Sequence, residues 1–198
     1  MSSKSRKFER PLGTKRYKKM FIISTEGQLT EPEYFSLFDN RVSIIKIKCL
    51  KAKKRSSPLQ VLKRIEKYIK EENLIKTDEA WIVVDRDQWT DEQLSQLNRW
   101  SEKKGNYGFA LSNPKFEFRL LLHFDDAKGI NTSNDCSTRL KKYIPNYDKG
   151  MSSIKISDEM IQDAIKRAKQ KDTGSFANRF TTVGSTVYIL VENILKGK

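Results

Sequence analysis

The sequence contains few of the residues that build disulfide frameworks, metal clusters or membrane spans. Its 198 residues include two cysteines and one histidine. Cys49 and Cys136 have neither the spacing of a metal site nor that of a redox motif. No apolar run approaches the roughly 20 residues that span a bilayer, and no signal-peptide core follows the N-terminus. We therefore expect a cytoplasmic protein with reduced thiols and no membrane partner.

Acidic residues are also scarce relative to basic ones. Lys and Arg number 39 against 25 Asp and Glu, which gives a formal net charge of +14. Such an excess favours a polyanionic partner, usually nucleic acid, and the alternative is a merely soluble basic protein. Residues 1–19 alone carry eight basic residues and one acid. They form either a basic arm that contacts phosphates or a solubilising tail.

A run of β-favouring residues at positions 81–84 ends in two carboxylates. The run contains no turn residue and is typical of a strand in the middle of a parallel sheet. Asp85 and Asp87 follow it, and strand alternation lets both point one way while Arg86 points elsewhere. Ligands of open α/β sheets bind beyond the carboxyl ends of strands, and two oxygen ligands suit Mg²⁺ or Mn²⁺. The alternative is a turn or a helix cap.

An earlier apolar run at positions 20–24 has the same design and ends before Glu26 and Gly27. Gly27 allows a tight turn and a close approach of a ligand to the backbone. If both strands belong to one parallel sheet, Glu26, Asp85 and Asp87 converge at one edge. Three carboxylates that close repel one another unless a divalent cation neutralises them. The two runs together therefore predict a metal site.

Strand and helix patterns alternate over residues 20–125, which predicts a doubly wound α/β domain with a mainly parallel, four-stranded sheet. Residues 126–198 are predicted to form an α-helical extension packed on this domain, with its last helix at 181–195. In the helix predicted for residues 30–39, Glu31 and Glu33 suit the positive helix end. Glu33 is the one of the two that could instead reach the metal.

Three groups of basic residues are candidates for phosphate contacts. One group follows the strand predicted for residues 43–50, another forms a stripe on a helix after Ser157, and the third is Arg86 itself. A solvated loop is the alternative interpretation of the first group. The residues are Lys51, Lys53, Lys54 and Arg55; Lys166, Arg167 and Lys169; and Arg86.

Several short motifs follow one another along most of the chain. They are Glu26-Gly27, Thr30-Glu31-Pro32-Glu33-Tyr34-Phe35, Asp85-Arg86-Asp87, Ser112-Asn113-Pro114, Phe116-Glu117, Leu120-Leu121-Leu122-His123-Phe124 and Thr181-Thr182-Val183. In this order, the motifs resemble the RloB-like, abortive-infection-linked branch of the Toprim-domain proteins. The resemblance implies a Toprim-like fold and makes Asn113 and Glu117 candidate supporting residues of the site.

The resemblance implies a Mg²⁺- or Mn²⁺-dependent nuclease of prokaryotic antiphage defence, with RNA such as tRNA, or DNA, as substrate. Its partner would be a second copy of the chain or a defence ATPase subunit. Asp85 and Asp87 would hold the metal, and Glu26 would ligate it or take a proton from the attacking water. The alternative is a non-catalytic nucleic-acid-binding or effector-sensing subunit. Topoisomerase-type strand transfer ranks last, because the chain leaves little room for a domain with a nucleophilic tyrosine.

Overall fold

The computed structural model describes residues 19–39, 44–52, 56–72, 74–86, 89–151, 154–172, 174, 179 and 181–197. Five strands form one sheet in the order β2-β1-β3-β4-β5. The strands are β1 (Lys19–Thr25), β2 (Ile45–Leu50), β3 (Glu79–Asp85), β4 (Tyr107–Asn113) and β5 (Gly184–Ser185). The helices are α1 (Thr30–Asp39), α2 (Pro58–Glu71), α3 (Asp91–Ser101), α4 (Phe116–Leu121), α5 (Ser133–Tyr143), α6 (Asp158–Lys171) and α7 (Val187–Lys196).

The first four strands are parallel, and β3 lies between β1 and β4. Positions 81–84 of β3 are buried on both faces of the sheet, as expected of a central parallel strand. Ile82 and Val84 pack against an apolar cluster with α2 and α3, whereas Trp81 and Val83 pack against a larger cluster with the other helices. The predicted alternation of strands and helices is therefore confirmed.

The edge strand β2 carries its polar residues at alternate positions. Ile45 and Ile47 are buried, whereas Lys46 is partly exposed. At the end of α1, Asp39 Oδ1 accepts a hydrogen bond from the backbone N–H of Ile47 at 2.7 Å. This contact attaches the end of the first helix to the edge of the sheet.

The sheet has five strands and not the predicted four, because residues 184–185 add an antiparallel strand to β4. Thr186 Oγ1 accepts a hydrogen bond from the Leu111 N–H at 2.9 Å, and the Ser112 and Ser185 hydroxyls lie 3.0 Å apart. The last helix therefore begins at Val187, and the predicted helix start at residue 181 is wrong. The sequence pattern missed β5 because two residues are too short for a periodicity.

The segment after residue 125 shares a core with the sheet domain. One apolar cluster contains Phe21 and Val83 from the sheet together with Leu140, Ile165 and Val191 from the later helices. The predicted basic arm lies outside the described residues except for Lys19, which begins β1 and forms an ion pair with Glu79. Within the described ranges, no helix is long and apolar enough to cross a membrane.

Candidate active site

The carboxyl ends of β1 and β3 bring Glu26 and Asp85 together. The strands are neighbours in parallel register, and the Glu26 N–H donates to the Val83 carbonyl at 3.2 Å. Glu26 Oε2 accepts hydrogen bonds from the Asp85 backbone N–H at 3.3 Å and from Trp89 Nε1 at 3.2 Å. Glu26 is 4% exposed. Asp87, the third carboxylate predicted here, lies outside the described residues.

A fourth acidic residue that the sequence reasoning assigned to the helix dipole also lies in this site. Glu31 is 5% exposed, and its Oε1 accepts a hydrogen bond from the Gly27 N–H at 2.9 Å. Glu33, which could have reached the metal, instead accepts a hydrogen bond from the Met151 N–H at 2.6 Å. The contact joins residues four positions apart, Gly27 and Glu31, and the sequence pattern did not predict it.

Glu117, at the start of α4, is the remaining acid of the site. Its Oε1 accepts a hydrogen bond from the Tyr147 hydroxyl at 3.3 Å, and that hydroxyl lies 3.5 Å from Thr30 Oγ1. The Gly150 N–H donates to the same Thr30 oxygen at 3.1 Å. The segment between α5 and α6 therefore contacts both α1 and α4 beside the carboxylates.

The segments that carry these acids line a cleft of about 530 Å³. The cleft is open to solvent, and its walls come from the strand ends, the turn before α1, the start of α4 and the region around α5. Its lining includes the acids Glu26, Glu31, Asp85 and Glu117. The lining residues are Glu26, Gly27, Gln28, Leu29, Thr30, Glu31, Asp85, Lys115, Phe116, Glu117, Ser133 and Lys149.

The carboxylates in the cleft repel one another. Asp85 keeps some accessible surface, but its carboxyl group lies deep among neighbouring atoms. Burial, followed by the charges of Glu31, Glu26 and Glu117, raises the pKa of Asp85 well above its ordinary value. Burial is also the main cause that raises the pKa of Glu31, against hydrogen bonds from backbone groups that lower it. The site therefore favours a proton or a cation among its oxygens.

The chemistry of the donors fits Mg²⁺ or Mn²⁺, since both cations prefer carboxylate oxygens. Among the described residues, however, no group of three His, Cys, Asp or Glu side chains has an arrangement that could hold a metal ion. Glu26 and Asp85 lie at the ends of neighbouring strands and are joined by a hydrogen bond from the Asp85 N–H. The described residues thus supply the charge and the donor type, but not a closed set of ligands.

The two other supporting candidates have different positions. Gly27 lies in the cleft wall, where its N–H holds Glu31. Asn113 lies at the end of β4, and its Nδ2 donates to the Thr182 carbonyl at 2.9 Å. Asn113 is not among the residues that line the cleft, and this contact attaches β4 to the chain before β5.

Several of the basic residues predicted to contact phosphates form hydrogen bonds or ion pairs with other residues of the chain. Arg86 donates to the Trp89 carbonyl and forms an ion pair with Asp91 at 2.9 Å. Arg167 donates to the Leu122 carbonyl at 2.8 Å, and Lys169 pairs with Glu192 at 2.7 Å. Lys51 and Lys166 are exposed. Lys53, Lys54 and Arg55 lie outside the described residues. All eight residues remain predictions as nucleic-acid contacts.

Two lysines that the sequence reasoning did not select lie in the cleft itself. Lys115 precedes α4 and donates a hydrogen bond to Ser137 Oγ, and Lys149 is exposed in the segment between α5 and α6. Neither forms an ion pair with a carboxylate in the described ranges. Single lysines carry no sequence signal, so only their position in the fold identifies them.

The single histidine belongs to the core. His123 Nδ1 lies 3.0 Å from the Arg119 carbonyl, and Nε2 lies 3.3 Å from the Tyr34 hydroxyl, which also accepts from Arg119 Nε at 3.1 Å. Burial, followed by the charge of Arg119, lowers the pKa of His123 to about 3. The neutral imidazole therefore completes a buried network and is not among the residues that line the cleft.

The comparisons with known proteins identify one family. A family model described as RloB-like protein matches residues 21–194 of the chain. No curated protein and no solved structure matches the chain.

Proposed function

The chain belongs to the RloB-like protein family, and we propose that it is a divalent-metal-dependent nuclease with a Toprim-like arrangement of carboxylates. The substrate we propose is nucleic acid, either RNA such as tRNA or DNA, and the setting is prokaryotic antiphage defence. The observation that carries the proposal is the cleft in which Glu26, Glu31, Asp85 and Glu117 converge within a chain of net charge +14. A protein that only binds polyanions gains nothing from four acids in one cleft.

In this proposal, Glu26 and Asp85 hold the cation together with Asp87. A bound Mg²⁺ or Mn²⁺ lowers the pKa of the attacking water and stabilises charge on the phosphoryl oxygens. Glu26 acts either as a ligand or as the base that takes the proton from that water. The Asp85 N–H and the Trp89 indole hold one oxygen of Glu26 and thereby fix the plane of its carboxylate.

The substrate phosphates are proposed to contact Lys115 and Lys149. Both line the same cleft as the carboxylates, so the cleft that would receive a phosphodiester also has two lysines in its wall. A cleft volume of about 530 Å³ is within the range of roughly 300–1,000 Å³ that small-ligand sites occupy. That size suits one nucleotide and its flanking phosphates, which favours a single-stranded or unpaired segment.

The decisive experiment measures cleavage and binding separately. Labelled single-stranded RNA, tRNA, single-stranded DNA and plasmid DNA are incubated with the full chain in Mg²⁺, Mn²⁺ or EDTA. We expect cation-dependent cleavage that Asp85→Asn abolishes, while Glu92→Gln, an exposed acid in the first turn of α3, retains it. Cleavage that persists in EDTA or in Asp85→Asn would contradict the proposal.

The non-catalytic alternative is an outcome of the same experiment. It is favoured by the absence of a three-ligand metal arrangement among the described side chains. Binding of nucleic acid in EDTA and in Mg²⁺, without cleavage of any of the four substrates, would support a binding or sensing subunit.

A further inference from the structure

Trp89 comes from the turn after β3 and contacts a carboxylate at the end of β1. Its indole Nε1 donates to Glu26 Oε2 at 3.2 Å, and the same oxygen accepts from the Asp85 N–H at 3.3 Å. The indole is half-buried and packs against the apolar cluster on the α2 and α3 side of the sheet. The polar atom of the indole, Nε1, therefore contacts Glu26, whereas the rest of the ring contacts the apolar core.

The position of the ring is fixed by the turn that carries it. The Trp89 N–H donates to the Arg86 carbonyl at 3.1 Å, and the Arg86 side chain donates to the Trp89 carbonyl. The Arg86 N–H donates to the Ser112 carbonyl of β4 at 2.8 Å. Thr90, the next residue, caps α3. Trp89 is thus held on both sides by contacts to the sheet and to a helix.

We propose that Trp89 is a positioning residue of the site, acting through Glu26. This inference rests on the proposed function of Glu26. An indole N–H can only donate a hydrogen bond, so it orients the carboxylate without competing for a cation. Partners that orient a ligand in this way typically contribute about 10–100-fold to metal affinity or activity.

The contact also links the two halves of the site. Glu26 follows β1 and Trp89 follows β3, so the hydrogen bond from Trp89 Nε1 joins the segments that follow the two strands. Phenylalanine could pack in the same place, but its side chain has no N–H group to donate to Glu26. Trp89→Phe is consequently the informative substitution.

The chain provides a matched control at the other end of β3. Trp81 Nε1 donates to Glu79 Oε2 at 2.7 Å, which is the same indole–carboxylate contact far from the cleft. Trp81 is not among the cleft residues. Trp81→Phe thus removes the same chemical group from a purely structural position.

The kinetic test compares the two variants in the full chain with a labelled single-stranded oligonucleotide. For Trp89→Phe we expect kcat to fall about 10–100-fold and Mg²⁺ affinity, measured by calorimetry, to fall with it. We expect KM for the oligonucleotide to stay within about twofold. Trp81→Phe should change the melting temperature but neither kcat nor Mg²⁺ affinity. Equal kcat and equal Mg²⁺ affinity in Trp89→Phe and the wild type would overturn the inference.

A second measurement follows the Trp89 indole in the protein that retains this tryptophan. The ¹⁵N-labelled protein has three tryptophans, so its indole cross-peaks can be assigned from single Trp→Phe variants. We expect the Trp89 indole proton to shift on addition of Mg²⁺ and in Glu26→Gln, and the Trp81 proton to do neither. A Trp89 signal that responds to neither change would overturn the inference.

The outcomes separate this inference from the proposed function. If the wild type binds Mg²⁺ and cleaves while Trp89→Phe behaves identically, only the role of Trp89 is wrong. If the wild type neither binds Mg²⁺ nor cleaves any substrate, both proposals are wrong.

Discussion

The Gly27 N–H donates a hydrogen bond to Glu31 Oε1 at 2.9 Å, and a β-carbon on Gly27 would lie 2.2 Å from Glu31 Oε2. Only glycine therefore leaves this carboxylate in its present place. The contact turns Glu31 into the cleft, where its charge helps raise the pKa of Asp85. A residue that looks like a helix-dipole acid in the sequence is thus part of the site.

Gly27→Ala should displace the Glu31 carboxylate, because the added methyl group overlaps it. We expect cleavage to fall on the order of 100-fold, as a small misplacement of active-site groups does, with a modest loss of stability. The control is Gly105→Ala, since a β-carbon on Gly105 meets no atom within 4 Å. Cleavage rates and melting temperatures of both variants test the expectation, and an unaffected Gly27→Ala variant would contradict it.

Asp85→Asn should raise the melting temperature of the metal-free protein. The substitution removes a buried charge that three neighbouring carboxylates repel. In the wild type, Mg²⁺ at about a hundred times its dissociation constant should add about 2.7 kcal/mol by mass action. This increment should shrink in Asp85→Asn. Calorimetric scans with and without Mg²⁺ provide the measurement, and Glu92→Gln should change neither quantity.

Lys115→Ala and Lys149→Ala should weaken nucleic-acid binding in a salt-dependent way. Loss of one phosphate contact should flatten the slope of log affinity against log salt by about 0.7–0.9. Fluorescence anisotropy in EDTA isolates binding from cleavage. Lys166→Ala provides the comparison, because Lys166 lies exposed on α6 and not in the cleft. A larger effect at Lys166 would favour the basic helix stripe as the binding surface.

Arg64→Lys should destabilise the strand ends beside Glu26. Arg64 Nη1 donates to the carbonyls of Thr25 at 2.8 Å and Leu50 at 3.1 Å, and Nη2 donates to Ser56 Oγ. The single ammonium group of lysine cannot form the hydrogen bonds that these two guanidinium nitrogens form. We expect a loss of about 1–3 kcal/mol in urea unfolding. Arg99→Lys, on the exposed face of α3, should be nearly neutral, and equal losses in both variants would contradict the expectation.

His123→Gln should reduce the sensitivity of the fold to acid. The pKa of His123 is lowered to about 3 in the folded chain, against roughly 6.5 when unfolded. Between these values the unfolded state binds the extra proton, so stability is lost as the pH falls from about 6.5 towards 3. The wild type should therefore lose more stability than the variant between pH 7 and pH 4. Urea midpoints at several pH values test this, and parallel curves would refute it.

The sequence by itself determined the layers of the fold and the first elements of the site. Apolar runs at positions 20–24 and 81–84 predicted two buried strands, and an acid follows each run. Parallel strands present their carboxyl ends at one edge, so the pattern predicted that Glu26 and Asp85 converge if both strands share a sheet. The direct pairing of β1 with β3 meets that condition. Thr90 and Ser157, which are residue types that favour helix N-termini, cap α3 and α6.

The tertiary structure decided which other side chains reach that edge. Lys115, Glu117 and Lys149 enter the cleft because α4 and the segment after α5 pack across the strand ends. Trp89 meets Glu26 across 63 positions of sequence, and β5 pairs with β4 through only two residues. Such contacts join groups that are distant in sequence, and the hydrophobic periodicity of the sequence does not predict them. Local sequence sets the direction of each strand and helix, whereas the packing of whole elements selects the neighbours of each carboxylate.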